Sequence, residues 1–191
     1  MRRTFFCGFF ILIMLFSPLN VFSQEAGLSL IAESRYFSIY APKNFDLYSL
    51  LKNIEFEYLI HLNGLSLENP ADSLHVLTKT LDALYLEVSD ILDIHVYSFH
   101  GNIKFLPNQS SVASVFKDYF DRSFKERSFY LHQRSTIYVS LEDITLGMLG
   151  HEISHAIISH YFVVPPPAKT QEVLAGYVEY SLRKSTGTLP K

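Results

Sequence analysis

Between residues 146 and 161 the chain reads LGMLGHEISHAIISHY, with His151 and His155 four positions apart. At 3.6 residues per turn, side chains four apart leave a helix about 40° from one another, so both imidazoles can reach one cation with Glu152 beside them. A shuffled chain with the same 8 His would show this HExxH spacing about 0.02 times. The segment is also amphipathic. With His151 at 0°, Leu146, Leu149, Ile153, Ala156 and Ile157 fall between about 140° and 240°, while His155 lies near 40° and Glu152 near 100°. A helix docked through that apolar stripe presents His151, Glu152 and His155 toward a cleft. Taken alone, the motif also fits a surface helix with solvated histidines. Pro165-Pro166-Pro167 forbids continuation of the helix.

A second helix is expected from about Thr170 to Lys184, ending before Gly187. Its apolar stripe is read through Leu174, Tyr177 and Val178, with Glu172 on the other side. Two helices joined by a proline-tight loop can pack antiparallel and set Glu172 against His151 and His155. Two imidazoles, one carboxylate and a water make up the four-coordinate shell of a catalytic zinc, which predicts one Zn2+ per chain.

The remainder predicts an α+β domain, a small mixed or antiparallel sheet against helices. Ser34 to Ala41 is aromatic and β-branched and stops at Pro42, as a strand does. Leu47 to Leu65 carries apolar residues at helical spacing. Asn69 as cap and Pro70 at the first position open another helix through Leu74, Leu77, Leu81, Leu84, Val88 and Ile91. A strand pair is expected between Val96 and Leu106 with His100-Gly101-Asn102 as its turn, and a short helix over Val112 to Phe124. Ser128 to Leu131 and Thr136 to Leu141 read as strands. Ser140 and Asp143 are expected to cap the HExxH helix.

Residues 1 to 24 have the order of a secretory signal peptide: Arg2-Arg3, an apolar run from Phe5 to Phe16, Pro18, then Val21 and Ser23 as small residues before a cut. Twelve apolar residues fall short of the roughly 20 that span a bilayer. The expectation is therefore a leader over 1–23, a single exported domain over 24–191, a periplasmic or secreted location, and no stable membrane span after processing. Cleavage after Ser23 would remove Cys7, the one cysteine, so the mature chain has no thiolate chemistry and any metal is held by nitrogen and oxygen. With 16 Lys plus Arg against 19 Asp plus Glu and no run of like charge, a nucleic-acid partner is excluded. The 28 Phe and Tyr residues are sufficiently explained by core packing.

HEISH followed by EVLAGYVEY resembles the gluzincin zinc metallopeptidases, the peptidase-MA-like group, over about Thr136 to Leu182. The resemblance implies that His151, His155 and Glu172 are zinc ligands, that Glu152 is the general base acting on a zinc-activated water, and that the fold is zincin-like. It further implies that a strand ahead of the catalytic helix pairs with extended substrate, which makes Thr136, Ile137, Tyr138, Val139 and Ser140 the expected edge. A Tyr or His stabilises the oxyanion in that group, with Tyr180 and Tyr161 as candidates. Gly176 stands where several gluzincins carry an acid that orients a ligand histidine, so the partner of His151 is not identified. No GxMEN motif is present, which argues against aminopeptidase activity.

His160, near 180° on the wheel, reads as a packing histidine. Glu179 shares a face with Glu172 and has Arg183 four residues on, which fits a surface ion pair or a supporting role at the site. His61, His75, His95, His100 and His132 stand singly, without partners at ligand spacing. The expected activity is hydrolysis of a peptide or protein substrate by an endopeptidase or processing protease, with an inhibitory or scaffold protein as a further possible partner. The alternative is a catalytically degenerate binding or assembly module of the cell envelope.

Overall fold

The computed structural model describes residues 25–54, 56–62, 70–142 and 144–189. The expected leader lies outside the described residues, as do Asn69 and Asp143. No helix among the described residues is long and apolar enough to cross a membrane.

The fold is mixed α+β. A five-stranded sheet is built from β1 (Leu28–Glu33), β2 (Phe37–Pro42), β3 (Gly101–Leu106), β4 (Ser128–Leu131) and β5 (Thr136–Ser140), in the order β1-β2-β3-β5-β4. The two inner pairings, β2 with β3 and β3 with β5, are parallel, and the outer ones, β1 with β2 and β4 with β5, are antiparallel. Helices α1 (Leu47–Ile54) and α2 (Ser73–Leu92) connect β2 to β3, and α3 (Gln109–Phe120) follows β3. The chain ends in α4 (Leu146–Tyr161) and α5 (Ala168–Ser185).

Both faces of the sheet are covered. Ile103, Phe105, Ile137 and Val139 join Leu77, Leu81 and Leu84 of α2 and Leu149, Ile153 and Ile157 of α4 in the main core. Leu106, Phe129, Leu131 and Tyr138 pack on the other face against Val112 and Val115 of α3. All five residues of β5 are therefore buried, with neighbouring strands on both sides. This corrects the expected substrate edge: Thr136, Ile137, Tyr138, Val139 and Ser140 form an interior strand whose backbone groups are spent on β3 and β4. The edge beside α4 is β4. Alternation of apolar and polar residues marks a half-exposed strand only when the polar side faces water, and here Tyr138 is covered by α3 instead.

Other elements differ locally. Helix α1 stops at Ile54 and a short 3-10 turn over Phe56–Tyr58 follows, burying Phe56. The expected strand pair ending at Leu106 is one strand, β3. Gly101 begins it because a Cβ there would lie 2.6 Å from both Phe99 Cζ and the Ser135 carbonyl oxygen, so this glycine marks a close backbone approach, not a hairpin turn. Strand β1 had no reading from the sequence. Helix α4 is capped by Thr145, whose hydroxyl accepts the Met148 N–H at 3.2 Å, while the Ser140 hydroxyl accepts from the Glu142 N–H outside the helix.

Helices α4 and α5 run antiparallel and meet through small residues. A Cβ on Gly150 would lie 2.2 Å from Leu182 Cδ1, and one on Gly147 would lie 3.0 Å from Arg183 Cγ and 3.2 Å from Glu179 Cγ. Ala175, Val178 and Leu182 are the buried stripe of α5. Leu174 is only half-buried and Tyr177 points outward, contrary to the stripe read from the sequence. The glycines of α4 receive the larger side chains of α5, and Tyr177 falls outside the face that meets them. Gly150→Ala is expected to cost about 1–2 kcal/mol, because the added methyl pushes the buried Leu182 off its rotamer by more than the roughly 1 kcal/mol of helix propensity gained; urea unfolding measures the loss.

Glu25 anchors the start of the described chain. Its carboxylate accepts from Lys104 Nζ at 2.7 Å and from the Tyr138 hydroxyl at 2.6 Å. Burial raises its pKa, but Lys104 and Tyr138 outweigh burial and hold it below the glutamate value of 4.5. A depressed folded-state pKa contributes stability that is present above the unfolded value and lost as pH falls through the folded one. Glu25→Gln is therefore expected to cost about 2 kcal/mol at pH 7, with the gap to the unmutated chain closing as unfolding is followed to pH values below 4.5.

Candidate metal centre

The two helices hold three side chains against one point. His151 Nε2 and His155 Nε2 are 3.3 Å apart. Glu172, on the first turns of α5, places Oε2 at 3.4 Å from His151 Nε2 and Oε1 at 3.5 Å from His155 Nε2. Donors bound to one tetrahedral zinc at about 2.0–2.2 Å are themselves about 3.3 Å apart, so this triangle fits such an ion. Two imidazoles with one carboxylate are also the donor chemistry of a catalytic zinc, which keeps its fourth position open. Among the described residues this is the one group of three whose ligand atoms all lie within 4.8 Å of one another.

Behind His151 stands a carboxylate that the sequence reading had placed only as one of two options. Glu179 Oε2 lies 3.3 Å from His151 Nδ1, and Arg183 Nη1 donates to Glu179 Oε1 at 3.2 Å. His151 Nδ1 is buried, and Glu179 Oε2 is the acceptor within reach of its N–H, at an angle short of a well-formed hydrogen bond. Both readings of Glu179 therefore hold at once: it pairs with Arg183 through one oxygen and supports His151 through the other. The sequence signal was its position seven residues after Glu172, which returns to nearly the same helix face. Gly176, where the orienting acid was missed, has open space around it.

Glu152 is buried beneath β4. The Ser128 hydroxyl donates to Glu152 Oε1 at 2.7 Å, and the carboxylate also accepts the Tyr130 backbone N–H. Burial dominates its titration and pushes the pKa up to about 7, against the lowering effects of Ser128 and His151. Ser128 and Tyr130 were not singled out from the sequence, and no local pattern marks them, because they reach Glu152 only through sheet pairing. Burial works against the charge on His151, but Glu179, Glu152 and Glu172 together hold its pKa up; His155 is held down by burial and by His151.

A cleft of about 1260 Å³ opens onto these groups, bounded by Ser128, Phe129 and Tyr130 of β4, by Phe116 and Phe124, and by Gln171 and Glu172 of α5. Neither tyrosine proposed for the oxyanion lines it: Tyr161 is 54% exposed at the end of α4 with its ring against Phe162, and Tyr180 is 50% exposed on the outer side of α5. Tyr130 and His132 do line the cleft. His160 is exposed, not within the apolar stripe; its ring meets Phe99 edge-on, with Nδ1 at 2.8 Å from the Ala156 carbonyl and Nε2 at 3.2 Å from the Ser135 hydroxyl.

No family model, no curated protein and no solved structure matches this chain. The chemistry of the site rests on its own geometry. Removing an outer carboxylate from a ligand histidine weakens metal affinity about 10–100-fold. Glu179→Gln is expected to raise the zinc dissociation constant by that factor in isothermal titration, with Glu179→Asp in between and Tyr180→Phe without effect.

Proposed function

We propose that the chain is an exported zinc-dependent peptidase with a zincin-like catalytic domain. The observation that carries this reading is the triangle of His151 Nε2, His155 Nε2 and the Glu172 carboxylate at 3.3–3.5 Å, with Glu152 buried beside it. In this reading His151, His155 and Glu172 hold the zinc, and the ion supplies Lewis acidity toward a peptide carbonyl and toward water.

The residues of the chain divide the remaining work. Glu152 takes a proton from the attacking water and returns it to the leaving amine. Burial raises its pKa and so favours uptake of the proton. Ser128 and the Tyr130 N–H fix its carboxylate in place. Glu179, held by Arg183, fixes the ring of His151. The outer edge of β4, apart from the Tyr130 N–H held by Glu152, offers backbone groups to an extended peptide entering the cleft, in the role first assigned to β5. The degenerate-module alternative drew its support from the absence of an orienting acid at Gly176, and Glu179 supplies that acid from the next turn.

Glu152→Gln keeps the shape of the side chain and removes its basicity. It is expected to lower cleavage of unfolded casein at least 10²-fold, while zinc content measured by atomic emission stays at the level of the unmutated chain. Cleavage that persists in Glu152→Gln would overturn the reading.

A further inference from the structure

One end of the cleft over the ligand triangle is walled by aromatic rings that the proton transfers leave unused. Phe116 on α3 stacks on Phe124 of the following loop, with ring centroids 4.0 Å apart and planes 9° from parallel. Phe129 of β4 meets both rings edge-on, at 5.1 Å and 5.6 Å. Phe120 backs Phe116 at 4.4 Å. Phe129 is buried, whereas Phe116 and Phe124 are only half-buried. Phe116, Phe124 and Phe129 line the same cleft as His151, Glu152 and His155.

The pleat of β4 divides this cleft. Ser128 turns its hydroxyl to Glu152, and Phe129, the next residue, turns its ring to the opposite face with α3. Glu152 and the aromatic rings thus flank one edge strand. A peptide extended along that edge points successive side chains to alternate sides. When one residue lies over the metal ligands, the side chain of its neighbour is directed toward Phe116 and Phe124. Lys125, Glu126 and Arg127 border this end with charges of both signs, so it offers no single-sign field to a charged side chain. What it does offer is ring faces and edges on which an apolar side chain sheds water.

We propose that Phe116, Phe124 and Phe129 form a subsite that selects an aromatic or large aliphatic side chain beside the residue held over the metal ligands, and that the substrates are unfolded polypeptide segments. The proposal rests on the peptidase reading and names the substrate class of that same site. Large apolar side chains are mostly buried in folded proteins. A subsite that asks for one therefore accepts chains that have lost or not yet reached their fold. It reads a single side chain, which suits the short edge that β4 presents.

The test uses two end-blocked alanine peptides, one of them with a single central phenylalanine, titrated calorimetrically into the zinc-loaded Glu152→Gln chain. The phenylalanine peptide is expected to bind at least about tenfold more tightly than the all-alanine one. Phe124→Ala in the same background is expected to remove that advantage while leaving the zinc dissociation constant unchanged. Phe116→Leu, which nearly keeps the apolar volume of α3, is expected to reduce the advantage by less. Far-UV circular dichroism checks that each variant is folded. With Glu152 restored, the phenylalanine peptide is expected to be cut with a kcat/KM at least about tenfold higher, a difference that Phe124→Ala removes mainly through KM. Equal binding of the two peptides, or a preference that survives Phe124→Ala, would overturn the proposal. Binding that depends on Phe124 without cleavage of either peptide would uphold the subsite and sink the peptidase reading, so the two failures are told apart.

Discussion

The close contact between α4 and α5 is the constraint on which the rest of the site depends. Gly147 and Gly150 on one helix, against Arg183 and Leu182 on the other, bring the two axes near enough for Glu172 and Glu179 to reach His151 and His155. A wider separation would leave the glutamates ending in solvent. Helix α4 ends at Tyr161, the proline run beyond it keeps the connection extended, and Pro167 just before α5 marks where the second helix begins. Small residues and prolines outside the group of His151, His155 and Glu172 thus set its dimensions.

Glu152 shows how the sheet and the helices are tied together. A buried carboxylate is costly unless its oxygens are satisfied, and the satisfaction here comes from the edge strand, through the Ser128 hydroxyl and the Tyr130 N–H. Strand β4 is held in turn by β5, and β5 by β3 and by the packing on both its faces. The protonation behaviour of one side chain is therefore a property of the whole layer arrangement, not of the HExxH helix alone.

Much of this was legible in the sequence where local rules govern. The helical spacing of His151 and His155, the break at Pro165-Pro166-Pro167 and the two strands before α4 follow from periodicity and stop signals. What escaped was decided by neighbours distant in sequence. Nothing in Thr136-Ile137-Tyr138-Val139-Ser140 says whether one strand or two will pair with it, so an interior strand was read as an edge. Tyr177 reads as part of the buried stripe of α5 from its spacing, yet the stripe runs through Ala175, Val178 and Leu182, which leaves Tyr177 on the outer face. His61 and His95 are 34 positions apart, and both reach Asp90 near the end of α2. Glu179 was visible as a face-sharing acid, but its service to His151 depends on the helix spacing that Gly147 and Gly150 set.

Strand β4 is four residues long, its ladder with β5 uses alternate backbone groups, and the outward Tyr130 N–H is already given to Glu152, so little free backbone is left along the cleft. On the proposed peptidase reading, a peptide laid against so brief a ledge would be gripped over a few residues at most, too short a grasp to read an extended recognition sequence. Choice among potential targets would then fall to which chains present a slack, unfolded stretch to the groove, making access a stronger filter than sequence.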